Sequence, residues 1–178
     1  KAAPHFSYVT IRDTDNWALL LKQDAGPTIE HLTVENGIGS GASDGYGVYA
    51  QSDAGAFTLS DVSFRRVTNW PLYLANISQW GRASDVRIDA ATCARGSSAF
   101  VAGGSLASNV RPATGVAWQV GDLTVPAGRT LTLDPGTILK LTFALNVSGT
   151  LIAHGTPAAP VIITVPTDDS AGGDTDGD

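Results

Sequence analysis

An all-β fold, a right-handed parallel β-helix of about six to seven coils, is what this sequence predicts on three observations. A short apolar pattern recurs through the first half at near-regular spacing. Strand-like segments of three to five residues alternate with turn residues, and no segment sustains a helical period with caps. The second half then repeats again, in different residues.

The first pattern is an apolar residue, two others, Val or Leu, any residue, and another apolar residue. It reads Phe6-x-x-Val9-x-Ile11, Ile29-x-x-Leu32-x-Val34, Leu59-x-x-Val62-x-Phe64 and Ala83-x-x-Val86-x-Ile88. The spacings are 23, 30 and 24 residues, and the long one contains the Gly-rich insert Asn36 to Tyr46. One such turn cannot bury its own apolar row; stacked turns align equivalent residues into ladders. Val9, Leu32, Val62 and Val86 are therefore expected to form one interior ladder, with Thr10, Thr33, Ser63 and Arg87 alternating outward. A second strand comes after each pattern: Trp17 to Leu21, Tyr46 to Ala50, Trp70 to Leu74 and Ala99 to Ala102. Turn residues such as Asp13 to Asn16, Asp24 to Pro27 and Ser52 to Gly55 separate them.

In the second half Leu123-Thr-Val125 recurs as Leu145-Asn-Val147, Leu131 as Leu151, and Ile138 to Leu141 as Val161 to Val165. The stretch Val120 to Lys140, with Val125-Pro-Ala-Gly128 and Leu131-Thr-Leu-Asp-Pro-Gly136, resembles the opening of modules in secreted bacterial right-handed parallel β-helix repeat proteins. Leu145 to Thr156 and Asp168 to Asp178 are similar to later stretches of those modules, while residues 1–103 show the looser coil pattern. The resemblance implies secretion, an extracellular or cell-surface place, and a multi-module parent without assigned activity. On that reading residues 1–105 are the end of one module, 106–117 a junction, 118–167 the start of the next, and 168–178 an acidic Gly/Asp loop.

Composition narrows the function. The 178 residues contain no methionine, so Lys1 is expected to arise by processing or to lie within a longer chain. The formal net charge is −6 and the basic residues are scattered singly apart from Arg65-Arg66, so no basic face for nucleic acid is expected. No apolar run is long enough for a bilayer-spanning helix, and no membrane insertion is expected. Cys93 is the lone cysteine, read as a small buried core residue.

Three features carry candidate chemistry. The tail offers Asp168, Asp169, Asp174, Asp176 and Asp178 as calcium ligands, since hard cations take six to eight oxygens from closely spaced carboxylates. A solvated acidic loop is the alternative. Asp13, Asp15, Arg65 and Arg66 are the residues an enzymatic β-helix would use on one face, yet no lyase or hydrolase signature is present and no catalytic residue is assigned. Trp17, Tyr46, Trp70 and Tyr73 are expected at equivalent places in successive coils, either as core packing, which the apolar strands after Trp17 and Trp70 favour, or as an outward sugar-binding strip. Asn76 and Asn146 sit in glycosylation triplets.

The function expected is a non-catalytic structural or adhesive module. It would stack end to end with copies of itself or with neighbouring modules into a filament or long array, because neither terminus reads as a cap. The alternative is a β-helix that binds or cleaves polysaccharide.

Overall fold

The computed structural model describes residues 3–39, 41 and 44–177. Among them the chain is nearly all β, in four parallel sheets, with one short 3-10 helix at Ile77–Arg82. The first sheet joins β1 (His5–Thr14), β3 (Thr28–Gly37), β5 (Thr58–Val67) and β7 (Ala83–Ile88) in that order. The second orders seven strands: β2 (Trp17–Leu21), β4 (Tyr46–Ala50), β6 (Leu72–Leu74), β8 (Ser98–Val101), β10 (Ala117–Val120), β13 (Ile138–Leu141) and β16 (Ile162–Thr164). The third joins β9 (Gly104–Ser105), β11 (Leu123–Val125) and β14 (Leu145–Val147), and the fourth pairs β12 (Thr130–Leu133) with β15 (Thr150–Ala153). Each strand pairs with its counterpart in the next repeat.

In the first sheet the register matches the sequence alignment residue for residue, whereas Ile138, set against a run starting at Val161, pairs with Ile162. Val9 pairs with Leu32, Leu32 with Val62 and Val62 with Val86. Phe6, Ile29, Leu59 and Ala83 form a second row, and Ile11, Val34, Phe64 and Ile88 a third. In the second sheet Leu19, Val48, Leu72, Ala99, Trp118, Leu139 and Ile163 run in one row through all seven strands. That sheet passes through residues 106–117 without a break, since β10 pairs with both β8 and β13.

The three-residue step from Phe6 to Val9 has a backbone cause. A strand that alternates strictly would place inward residues two apart. One residue in the left-handed region interrupts the alternation at each repeat: Tyr8, His31, Asp61 and Asp85, with φ between 49° and 56°. The chain bends there and the next residue points inward again. The same device recurs at Asp13, Asn36 and Arg66, which explains the second three-residue step from Val34 to Gly37 and from Phe64 to Val67. Four of these seven residues are Asp or Asn, the non-glycine types that tolerate this region best.

The β6 strand starts at Leu72, later than the apolar run suggests, because Pro71 has no N–H to donate. The carbonyls of Trp70 and Pro71 still accept from Gly47 and Val48 at 3.0 and 2.9 Å. The 3-10 helix drives Trp80 into the core, where its ring meets Trp118 edge-on at 5.9 Å. Nothing in the helical periodicity of so short a segment announces it. No helix among the described residues is long and apolar enough to cross a membrane.

Both edges of the described body are open. Phe6, Val9, Ile11 and Leu19 are only partly buried, whereas their partners Ile29, Leu32, Val34 and Val48 are buried. At the opposite edge Leu145 and Leu151 are partly buried while their partners Leu123 and Leu131 are buried; Ile163 and Val165 are exposed.

Candidate functional site

The acidic tail folds back across the N-terminal ends of the second sheet. Ala171 and Thr175 are buried. Gly172 lies against Ala117 and its carbonyl accepts from the Ser97 N–H at 3.2 Å and from Ser97 Oγ at 3.0 Å. Gly172 and Gly173 both adopt φ of 79°, a conformation that favours glycine and lets the backbone lie flat there. Arg95 donates to the Thr175 carbonyl at 3.1 Å.

The anchor of this tail is Lys140, whose side chain is fully buried although its place on a short strand gives no sign of it. Its ammonium donates to Thr175 Oγ1 at 2.9 Å, the Gly173 carbonyl at 3.1 Å and the Pro166 carbonyl at 3.4 Å. Burial pulls the Lys140 pKa down, and the neighbouring carboxylates of Asp169, Asp168, Asp176 and Asp174 oppose that shift.

The tail aspartates do not act as one set. Asp169, Asp174 and Asp176 gather one carboxylate oxygen each within 4.8 Å of one another. Asp168 is turned elsewhere: it accepts from Ser170 Oγ, from Thr164 Oγ1 at 2.7 Å and from the Ser170 N–H at 3.1 Å, and these bonds hold its pKa below the usual carboxylate range. Asp178 lies outside the described residues.

The aromatic residues fall differently from the expectation. Trp17 pairs with Tyr46, and Trp70 stands two residues before Leu72 as Tyr46 stands two before Val48. Tyr73 does not share that row: it is in register with Tyr49 and Phe100. Tyr49 and Tyr73 stack at 4.7 Å and 3°, Tyr73 and Phe100 at 4.5 Å and 17°, all half-buried on the outer face. The 24-residue step between Tyr49 and Tyr73 equals the local repeat, which is the signal that would have found them. Stacked face to face, these rings present edges to solvent, not the open faces a sugar ring needs. Trp70 is buried beneath the Arg95 guanidinium at 4.6 Å; Trp17 is 37% exposed on the edge strand.

On the outer face of the first sheet the repeat register assembles charged groups that are far apart in sequence. Arg65 and Arg66 both bond Glu35, with Arg65 at 2.7 Å, and Arg12 approaches it at 3.5 Å. The hydrogen bond from Arg65, with the three guanidinium charges, holds Glu35 below its usual pKa against a smaller effect of burial. Asp13 accepts from Asn36 at 2.8 Å, and Asp15 is exposed on the turn after β1. One repeat row over, Asp61 bonds both Arg87 and His31, and Arg87 reaches Asp85 at 3.0 Å. This His31–Asp61–Arg87 group escapes a search for local motifs; it emerges when the alignment that gives the apolar ladder is read on both sides, since His31 and Asp61 precede Leu32 and Val62 while Arg87 follows Val86. Arg111 and Asp134 form a further pair, with two contacts, across 23 residues.

Cys93 is buried, with its thiol 3.9 Å from the Phe64 carbonyl, and burial pushes its pKa up, the opposite of what a thiolate nucleophile needs. Asn76 caps the 3-10 helix by accepting from the Ser78 N–H at 3.0 Å, while Asn146 is exposed on β14. No family model, curated protein or solved structure matches this chain.

Proposed function

We propose that the chain is a segment of right-handed parallel β-helix that serves as a non-catalytic structural and adhesive module of an extracellular or cell-surface assembly, of the secreted bacterial β-helix repeat type. In this reading each repeat is one coil, since every strand pairs with the next repeat in parallel and the connection passes through a different sheet. Right-handedness rests on the general preference of parallel crossover connections. The observation that carries the function is the pair of open edges. The interior rows continue to the outermost strands, where the same positions that are dry inside become half-exposed. An edge of that kind is a template for another coil.

The module then stacks end to end, with a neighbouring module or a second copy supplying the next coil. Sedimentation velocity across a wide concentration range tests it. Concentration-dependent association is expected, and it is lost in a variant carrying Val165→Lys with unchanged far-ultraviolet circular dichroism. A monomer at all concentrations overturns the reading.

A second reading concerns the tail, where we propose calcium as ligand of Asp169, Asp174 and Asp176. Three convergent carboxylates favour it, and Asp176 Oδ1 is buried without a hydrogen-bond partner among the described residues. Titration calorimetry should show calcium binding that Asp174→Asn with Asp176→Asn abolishes. Flat isotherms for both proteins leave only a solvated loop docked on Lys140.

A further inference from the structure

The outer face of the first sheet carries a trough that the stacking reading does not use. Three adjoining open hollows, of about 460, 320 and 320 Å³, share Thr33, Ser63 and Arg87 or abut at Arg87. The row Thr10, Thr33, Ser63 and Arg87 lines the trough, pointing away from the core. The hollows extend from Tyr8 on β1 across the four strands of the first sheet, about 14 Å at the usual spacing of parallel strands, and continue beyond β7 to Arg111 and Asp134. A row of hollows running across the strands suits a linear polymer.

We propose that this trough binds a neutral, hydroxyl-rich glycan chain laid along the stack of repeats. Charge decides against a polyanion. The guanidiniums that line it stand beside carboxylates: Arg87 beside Asp61 and Asp85, Arg111 beside Asp134, and Arg65 beside the Glu35 that it shares with Arg12 and Arg66, while Asp89 adds a further carboxylate to the lining. An acidic sugar or a nucleic acid would meet these carboxylates and release no counterions from a free basic surface. Sugar hydroxyls, by contrast, each donate and accept, and paired Arg–Asp groups offer both roles side by side.

Arg87 retains N–H groups beyond those given to Asp61 and Asp85, and carboxylate oxygens keep lone pairs after one bond each. Thr33 Oγ1 and Ser63 Oγ, 3.2 Å apart, add a pair of hydroxyls whose proton direction is free to adjust. Tyr8, 81% exposed, stacks on His31 at 4.3 Å and 15° and supplies the aromatic surface a sugar ring prefers. The lining is mixed: Thr33, Ser63 and the charged groups stand beside the apolar side chains of Phe64 and Ile88, which can pack against the carbon faces of a sugar ring.

The test is calorimetric titration of the intact chain with cellohexaose, mannohexaose, maltohexaose and hexagalacturonate at low and high salt. Binding of at least one neutral hexasaccharide is expected, with little salt dependence. Thr33→Val with Ser63→Ala should weaken it roughly tenfold by removing two hydrogen-bonding hydroxyls. Hexagalacturonate binding that fades with salt, or no binding by any of the four, overturns the proposal. The Val165→Lys variant separates the two ideas: it should lose stacking and keep glycan affinity, because Val165 lies at the edge opposite β1 and lines none of the hollows.

Discussion

At the scale of single residues, position within a ladder decides what a side chain is worth. Val62 is fully buried between Leu32 and Val86. A carboxylate there has no partner, so Val62→Asp should destabilise by roughly 3–5 kcal/mol. Val9 holds the same register position at the open edge and is half-exposed, so Val9→Asp should cost only about 1 kcal/mol. Urea denaturation of the two variants checks this, and equal losses would mean the edge is covered. The carboxylates of the outer face set a second expectation. Glu35, Asp61 and Asp134 are all held below their ordinary values, first by hydrogen bonds from Arg65, Arg87 and Arg111 respectively. A depressed folded pKa contributes stability that is present above the unfolded value and is lost as pH falls toward the folded one. The denaturation midpoint should therefore stay level from neutral pH down to the ordinary carboxylate range and decline below it. Glu35→Gln should start lower and lose part of that decline; an unchanged acid limb would show that the pair is energetically silent.

At the scale of elements, the bends and the tail shape the molecule. Single left-handed residues turn each long strand of the first sheet, and their side chains, among them His31, Asp61, Asp85, Asn36 and Arg66, are thereby thrown outward where they pair along the stack. Architecture and surface chemistry share one cause. The tail depends on a different device, the buried ammonium of Lys140 beneath Pro166, Gly173 and Thr175. Lys140→Met keeps the aliphatic stem but leaves those acceptors without their donor, a loss of about 1–3 kcal/mol. Hydrogen exchange should then accelerate across residues 168–177 while β10 and β13 remain protected. Uniform protection in the variant would show that Arg95 and Ser97 suffice to hold the tail.

At the scale of the whole molecule, a repeat body is stabilised by its own repeats plus the interfaces between them. The internal interfaces bury rows made mostly of Leu, Ile, Val and Phe, and each such side chain contributes about 1.5–3 kcal/mol. The outermost strands realise only part of that, and under the proposed stacking the remainder becomes available on docking. Association through the edges should thus raise the thermal midpoint with protein concentration, because the bound state is stabilised by mass action. In the Val165→Lys variant the midpoint should become independent of concentration. The aromatic stack Tyr49, Tyr73 and Phe100 runs across β4, β6 and β8 in the same direction as the apolar rows.

The periodic apolar residues were sufficient to give the parallel pairing and its register, because a row that must be buried in every repeat admits one alignment. Leu123 with Leu145 and Leu131 with Leu151 were legible for the same reason. The features that stay hidden lie where spacing carries no hydrophobic signal. Tyr73 is close to Trp70 in sequence but belongs with Tyr49 and Phe100, since outward positions are not constrained by burial. Lys140 has the look of a surface charge and is buried, because the partners that satisfy it come from the tail some 33 and 35 residues further on. Arg65 and Arg66 stand in the sequence as an isolated basic pair, yet both are tied to Glu35 through strands that only the folded register brings together. Burial repeats along a sequence and can be read from it; polar partnership depends on which repeats lie side by side, and that is decided by the tertiary structure.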